Sequence, residues 1–261
     1  MAVRRVALVT GAARGIGAAT VGRLGAAGWA VVAVDRAAPD PRLPYAMGTA
    51  AELDAVVAAV PDAVAVRADA TDPEAMGAAV ALAEERFGGL DAVIAVAGVV
   101  AGGVPQWEVP PEQERAVLEV NLDGVLVAAR AGIPALLRRE PPRAGRFLAV
   151  SSAAATRGLP MLAAYCAAKA GVNGLVRGLA AELRGTGVTA NAVAPGSTAT
   201  AILDESARLY DLEGAEAFSA QQPLERLLDP DEVAAALVWL AGPDGGAVTG
   251  AALPVDGGLA L

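Results

Sequence analysis

The chain has 261 residues and a formal net charge of −9, an acidic balance that argues against a nucleic-acid partner, since phosphate binding needs a basic face. It contains no histidine and one cysteine, which excludes Ser-His-Asp and Cys-His nucleophile systems, His-ligated metals and any internal disulfide. Cysteine usage this low points to a reducing, cytoplasmic setting. Apolar residues make up 55% of the chain and aromatics 3%, so the core is built from Ala, Val and Leu and suits helices lying close on a sheet. Met1–Arg5 runs into a short apolar strand with no long h-region, so no signal peptide is expected. No polar-free run of ~18 residues predicts a membrane span.

In chain order, apolar runs predict strands at Val6–Thr10, Ala30–Asp35, Ala63–Arg67, Ala92–Val96, Arg146–Ser151, Val188–Ala194 and Ala251–Val255. Helical patterns fall between them, near 15–27, 50–59, 73–86, 111–139, 160–184 and 229–241. Repeated βα units with continuous apolar strands predict one α/β domain over 1–261, doubly wound, with a seven-stranded parallel sheet covered on both faces. Two segments break the rhythm. Pro39, Pro41 and Pro44 surround Tyr45 in an insertion over 37–49 and disfavour a helix directly after the second strand. Residues 197–223 mix acids with Ile202, Leu203, Leu209, Tyr210, Leu212 and Phe218, and such an excursion after a strand is a candidate substrate lid.

The first strand leads into Gly11-Ala12-Ala13-Arg14-Gly15-Ile16-Gly17 and a helix. Three glycines let the backbone approach a pyrophosphate that the helix N-terminus then stabilises. The spacing is not the commonest fingerprint, but the second strand ends in Asp35, near the ~20-residue offset expected for an acid that bonds the adenosine ribose. A carboxylate there repels a 2′-phosphate and favours NAD, although Arg36 beside it could serve NADP.

Lys169 is the chain's one lysine among twenty basic residues, and it stands four residues after Tyr165. On a helix these positions share a face. An ammonium beside the phenol is expected to favour the phenolate and make Tyr165 an acid or base usable near neutral pH. Cys166, between them in sequence, reads as a small packing residue.

With these residues together, the whole chain resembles a classical short-chain dehydrogenase/reductase. The resemblance rests on Thr10–Gly17, Tyr165-x₃-Lys169 and Pro195-Gly196. It implies Asn121, Ser152, Tyr165 and Lys169 as the catalytic set, with Ser151 as second choice for the serine. It further implies Asp69 and Ala70 at the adenine, Ala97, Gly98 and Val120 along the cofactor, and Pro195, Gly196, Thr198 and Thr200 at the nicotinamide. Asn121 is implied to bend its helix and hold a water. Ala95-Val96-Ala97-Gly98 stands where the family usually has Asn-Asn-Ala-Gly, so two side-chain amides must be replaced. Tyr165 is expected to take the alcohol proton during hydride transfer, Lys169 to bond the nicotinamide ribose and Ser152 to position the substrate oxygen.

Two further likenesses narrow this. Asp35-Arg36, the proline-rich insertion and Thr49–Leu53, with Ser152–Leu162, resemble the mycofactocin-associated branch. That implies tightly bound, non-exchanging NAD whose electrons leave through mycofactocin. Small residues Ala164, Ala168, Gly171, Gly174 and Gly178 on one predicted helix allow close helix approach, and family members commonly pair this helix in homodimers and homotetramers. The alternatives are an ordinary exchanging dehydrogenase, a 3-oxoacyl-thioester reductase, which Asp35 opposes, and a non-catalytic nucleotide-binding regulator. The apolar lid suggests a hydrophobic secondary alcohol or its ketone.

Overall fold

The computed structural model describes residues 4–261; Met1, Ala2 and Val3, read above as leading into the first strand, lie outside the described residues. Seven parallel strands run in the order β3-β2-β1-β4-β5-β6-β7. They are β1 Val6–Thr10, β2 Ala30–Asp35, β3 Ala63–Arg67, β4 Ala92–Ala95, β5 Arg146–Val150, β6 Thr189–Pro195 and β7 Ala252–Val255. The central strands are mostly apolar because both faces are covered. Val6 and Leu8 of β1 face one core with Met76, Val125 and Val172. Ala7 and Val9 face the other with Leu24, Leu53 and Leu237.

The first layer is α3 (Pro73–Phe87), α5 (Gly124–Arg138) and α6 (Ala163–Glu182). The second is α1 (Gly15–Ala26), α2 (Ala50–Ala58) and α8 (Pro230–Ala241). Small residues set the spacing between layers: a Cβ on Gly132 of α5 would overlap Val93 of β4. Strand order reverses between β1 and β4, so their carboxyl ends open a crevice at the switch point.

The predicted helix 111–139 is two helices, α4 (Pro111–Leu118) and α5, joined by a π turn at Glu119–Asp123. The predicted helix 160–184 begins only at Ala163, because Pro160 and a left-handed Met161 (φ 60°) hold the preceding residues in a loop. The lid region carries an unpredicted helix, α7 (Ala201–Leu209), and a 3₁₀ segment at Ala215–Gln221.

Candidate active site

β1 ends at Thr10, and the chain turns through Gly11 (φ 66°) and Gly15 (φ 56°) into α1. A Cβ on Gly11 would lie 2.7 Å from Ala97 Cα, and one on Gly17 would overlap the Gly11 carbonyl oxygen. Only glycine fits these positions. No side chain caps α1, which leaves its first-turn N–H groups for a ligand. Beyond this turn lies a cavity of about 630 Å³. Every residue assigned above to cofactor or catalysis borders it except Asn121.

At one end, Asp35 accepts the Ala13 N–H (3.0 Å) on one oxygen and the Ala37 N–H (2.9 Å) on the other. Each oxygen keeps a free lone pair for a diol. Arg36 donates to Asp40 (2.8 Å), and its Nε lies 3.7 Å from Asp69, so its charge is already answered by carboxylates. That weakens the case for a 2′-phosphate there. Asp69 and Ala70 line the same end.

Ala95 and Val96 carry no side-chain amide, and the segment is held through its main chain. Thr10 Oγ1 accepts both the Val96 N–H (3.1 Å) and the Ala97 N–H (3.2 Å), fixing the segment that passes the cavity with Gly98. Asn121 holds the next stretch. Its Nδ2 donates to the carbonyls of Val99 and Val117, both at 2.8 Å, and its Oδ1 accepts the Val99 N–H at 3.3 Å. Fully buried in the π turn, Asn121 bends its helix as expected. Its side chain is engaged by main chain and does not line the cavity.

At the other end stand Ser152, Tyr165 and Lys169. Ser151 donates its hydroxyl to the Lys169 carbonyl (3.1 Å), committing it to α6, whereas Ser152 Oγ accepts the Ala154 N–H (3.1 Å) and faces the Tyr165 hydroxyl. Lys169 is buried; its Nζ donates to the Val150 carbonyl at 2.8 Å and lies 5.7 Å from the Tyr165 ring centre. The expected near-neutral phenol is not found. Burial pushes Tyr165 up to about 12, opposed by a hydrogen bond with Ser152, and burial lowers Lys169 to about 8. Desolvation disfavours the charged form of each.

Pro195, Gly196, Thr198 and Thr200 continue the wall after β6. Thr200 caps α7, accepting the Leu203 N–H and donating to the Thr198 carbonyl (3.2 Å). Leu159, Leu162, Leu212 and Phe218 make the remaining wall apolar. Tyr210 stacks edge-on to Phe218 and donates its hydroxyl to the Pro160 carbonyl (2.6 Å), joining lid to loop.

The insertion lies across the opposite rim as a strap, with Ala38, Asp40, Met47 and Gly48 on the cavity. Arg14 Nη2 donates to the Ala46 carbonyl (2.7 Å), and Tyr45 OH accepts the Val100 N–H (3.0 Å). Leu43 is buried against Val99, Ala101, Ala116 and Val117. Asp40, only 3% exposed, accepts from Arg36 and Arg42, and Arg42 also bonds Glu119 of the π turn. Sequence reasoning flagged Tyr45 and the prolines but missed Asp40; a lone acid between Arg36 and Arg42 was the available signal.

A doubly wound parallel sheet with a glycine turn at its switch point, and a Ser-Tyr-Lys set facing the same crevice, defines a nucleotide-dependent oxidoreductase. The family model for Enoyl-(Acyl carrier protein) reductase matches residues 11–260. The short-chain reductase NovJ of Streptomyces niveus is 38% identical, over 97% of this chain and 93% of its own. The cis-4-hydroxycyclohexanecarboxylate dehydrogenase of Sinomonas cyclohexanicum is 38% identical over 97% and 96%. The crystal structure of carveol dehydrogenase from Mycobacterium avium in complex with NAD superposes with a TM-score of 0.92 at 32% identity, covering 98% of this chain and 97% of that one. The chain belongs to the short-chain dehydrogenase/reductase family. It is an enzyme of the alcohol dehydrogenase and carbonyl reductase type.

Proposed function

We propose that this enzyme interconverts a hydrophobic secondary alcohol and its ketone using tightly held NAD, whose electrons pass on to mycofactocin. The observation that carries the reading is the strap of residues 37–49, tied at Ala46, Tyr45 and Asp40 over the adenosine end of the cavity. It resembles the insertion of mycofactocin-associated dehydrogenases, and trapped NADH would have to be reoxidised in place. The residues present fit NAD. The glycine turn admits no Cβ, Asp35 keeps lone pairs for a ribose diol, and the carveol dehydrogenase neighbour binds NAD.

When bound, NAD supplies the hydride acceptor at its nicotinamide. The chain does the rest. Ser152 donates to the substrate oxygen and sets the reacting carbon, and Tyr165 takes the hydroxyl proton. Lys169, already within reach of main-chain oxygen at Val150, turns its remaining donors to the ribose and steadies the Tyr165 phenolate that accepts this proton. Leu159, Leu162, Leu212 and Phe218 exclude water around the substrate body. The relatives' alicyclic substrates suit such walls.

The test uses protein purified without added cofactor and a panel of cyclohexanol, menthol and carveol. Bound NAD at near one per chain, reduced-nicotinamide absorbance on alcohol addition, and turnover only with an artificial electron-accepting dye are expected. Steady turnover with free NAD alone would make it an ordinary exchanging dehydrogenase. Gly174 and Gly178 of α6 have open space where a Cβ would stand, and Leu126 of α5 is exposed, which supports a homodimer or homotetramer built on these helices. Sedimentation measures it.

A further inference from the structure

Gln222 is the one polar residue among the largest fully buried side chains among the described residues, at 1% exposure. A buried primary amide is costly unless its donors and acceptor are all answered. Here they are. Gln222 Oε1 accepts the Ser197 N–H (2.8 Å), and Nε2 donates to the carbonyls of Arg226 (2.6 Å) and Ser197 (3.3 Å). The amide therefore pairs with both main-chain groups of Ser197, much as a neighbouring strand would.

These two residues are the two feet of the lid. Ser197 follows β6, and Gln222 follows the 3₁₀ segment that closes the excursion. Leu228 N–H donates to the Ser197 carbonyl (2.9 Å) and Ala199 N–H to the Leu228 carbonyl (2.9 Å), so main chain extends the same splice. Gly196 is pressed against it: a Cβ there would overlap Gln222 Oε1 and the Asp256 carbonyl region. The spliced stretch Gly196–Thr198 is cavity wall on the side that carries Thr200 and the lid helix α7.

We infer that Gln222 is a positioning residue for hydride transfer. It fixes the Gly196–Thr198 edge against which the nicotinamide is set, and so couples the seating of the lid to the geometry at Ser152 and Tyr165. This rests on the NAD-linked reading above. Nothing about Gln222 touches the reacting atoms; it acts through Ser197.

The experiment compares wild type, Gln222→Leu and Gln222→Glu, each loaded with NAD. The rate of bound-NAD reduction is measured with whichever panel alcohol wild type oxidises fastest, in protonated and C1-deuterated form. Gln222→Glu, protonated in this buried place, keeps an acceptor for the Ser197 N–H and one donor for the facing carbonyls, and stands in should the leucine variant fail to fold. The expected result is a rate roughly ten- to a hundredfold lower in Gln222→Leu, with a larger deuterium isotope effect and partial rescue in Gln222→Glu. NAD content should stay near wild type. Wild-type rates and isotope effects in the folded variants would overturn the inference. So would a lowered melting temperature with an unchanged isotope effect, which a merely structural amide would give. If wild type itself reduces no bound NAD with any alcohol, the proposed function fails instead.

Discussion

Replacing Asp40 with asparagine should unlatch the strap while keeping its shape. The carboxylate accepts from Arg36 Nη1 (2.8 Å), Arg42 N (3.0 Å), Arg42 Nε (3.0 Å) and Arg42 Nη2 (2.8 Å) at 3% exposure. Breaking a buried ion pair by removing one partner costs about 3–5 kcal/mol. Arg36 and Arg42 are each about one-third exposed and can recover some hydration, so about 2–3 kcal/mol is the reasonable share for the closed strap. At ~1.4 kcal/mol per tenfold, the open strap becomes roughly thirty- to a hundredfold more populated. Bound NAD should then exchange faster by a similar factor, followed as release of labelled NAD into an unlabelled chase. The arginines hold the Asp40 carboxyl far below the usual carboxylate range. A depressed pKa contributes its full stabilisation above the unfolded value near ~4 and loses it only as pH falls through the folded value. Wild-type retention should therefore not change through Asp40 between pH ~5 and ~8. An exchange rate in Asp40→Asn within twofold of wild type, in a folded protein, would refute the latch.

Lys169→Arg keeps the charge but forces a larger planar group into a buried slot beside Val150; activity should fall ~10²-fold or more and NAD retention weaken, and near-normal values for both would contradict the account. Burial lowers Lys169 to about 8, below its unfolded value of ~10.4, so the unfolded chain binds more protons between these values. Stability of the cofactor-free protein should accordingly rise from pH ~8 to ~10 by up to about 3 kcal/mol, and the rise should be absent from Lys169→Met melts. Asn121→Leu leaves the Val99 N–H and two carbonyls without their partner and should cost about 2–4 kcal/mol in urea unfolding, with catalytic loss following from a displaced 97–100 segment. Gly17→Ala should abolish cofactor binding, read by NAD content, because its Cβ has no space beside the Gly11 carbonyl.

Strand positions were legible because each run is largely apolar and flanked by Gly, Pro, Asp or Ser, and the observed bounds move by no more than one residue. The glycine turn, Asp35, Ser152, Tyr165 and Lys169 were legible because spacing along βα units places them at strand ends or on one helix face. The break inside 111–139 was not, since the apolar period continues through Glu119–Asp123. The π turn exists because Asn121 bonds Val99, a residue distant in sequence. Helix α7 was hidden by its short length and by acids that read as loop, while Thr200 supplied a cap that could have marked its start.

The Tyr165–Lys169 pair shows where sequence adjacency stops being enough. Helical spacing placed the two side chains together, but the sign of their titration depends on burial, which no local pattern reports. Burial pushes the Tyr165 phenol up to about 12 and lowers the Lys169 ammonium to about 8, so near pH ~7 the phenol is neutral and the lysine still carries its charge. The carboxylates bordering that cavity, Asp35, Asp40 and Asp69, sit at the end away from Ser152 and offer Lys169 no counter-charge. Arginine, charged at every relevant pH, would carry the full desolvation cost of a buried cation, whereas burial already lowers the lysine to about 8. That asymmetry gives a physical reason for the chain's single lysine at a position where burial and catalysis make opposite demands.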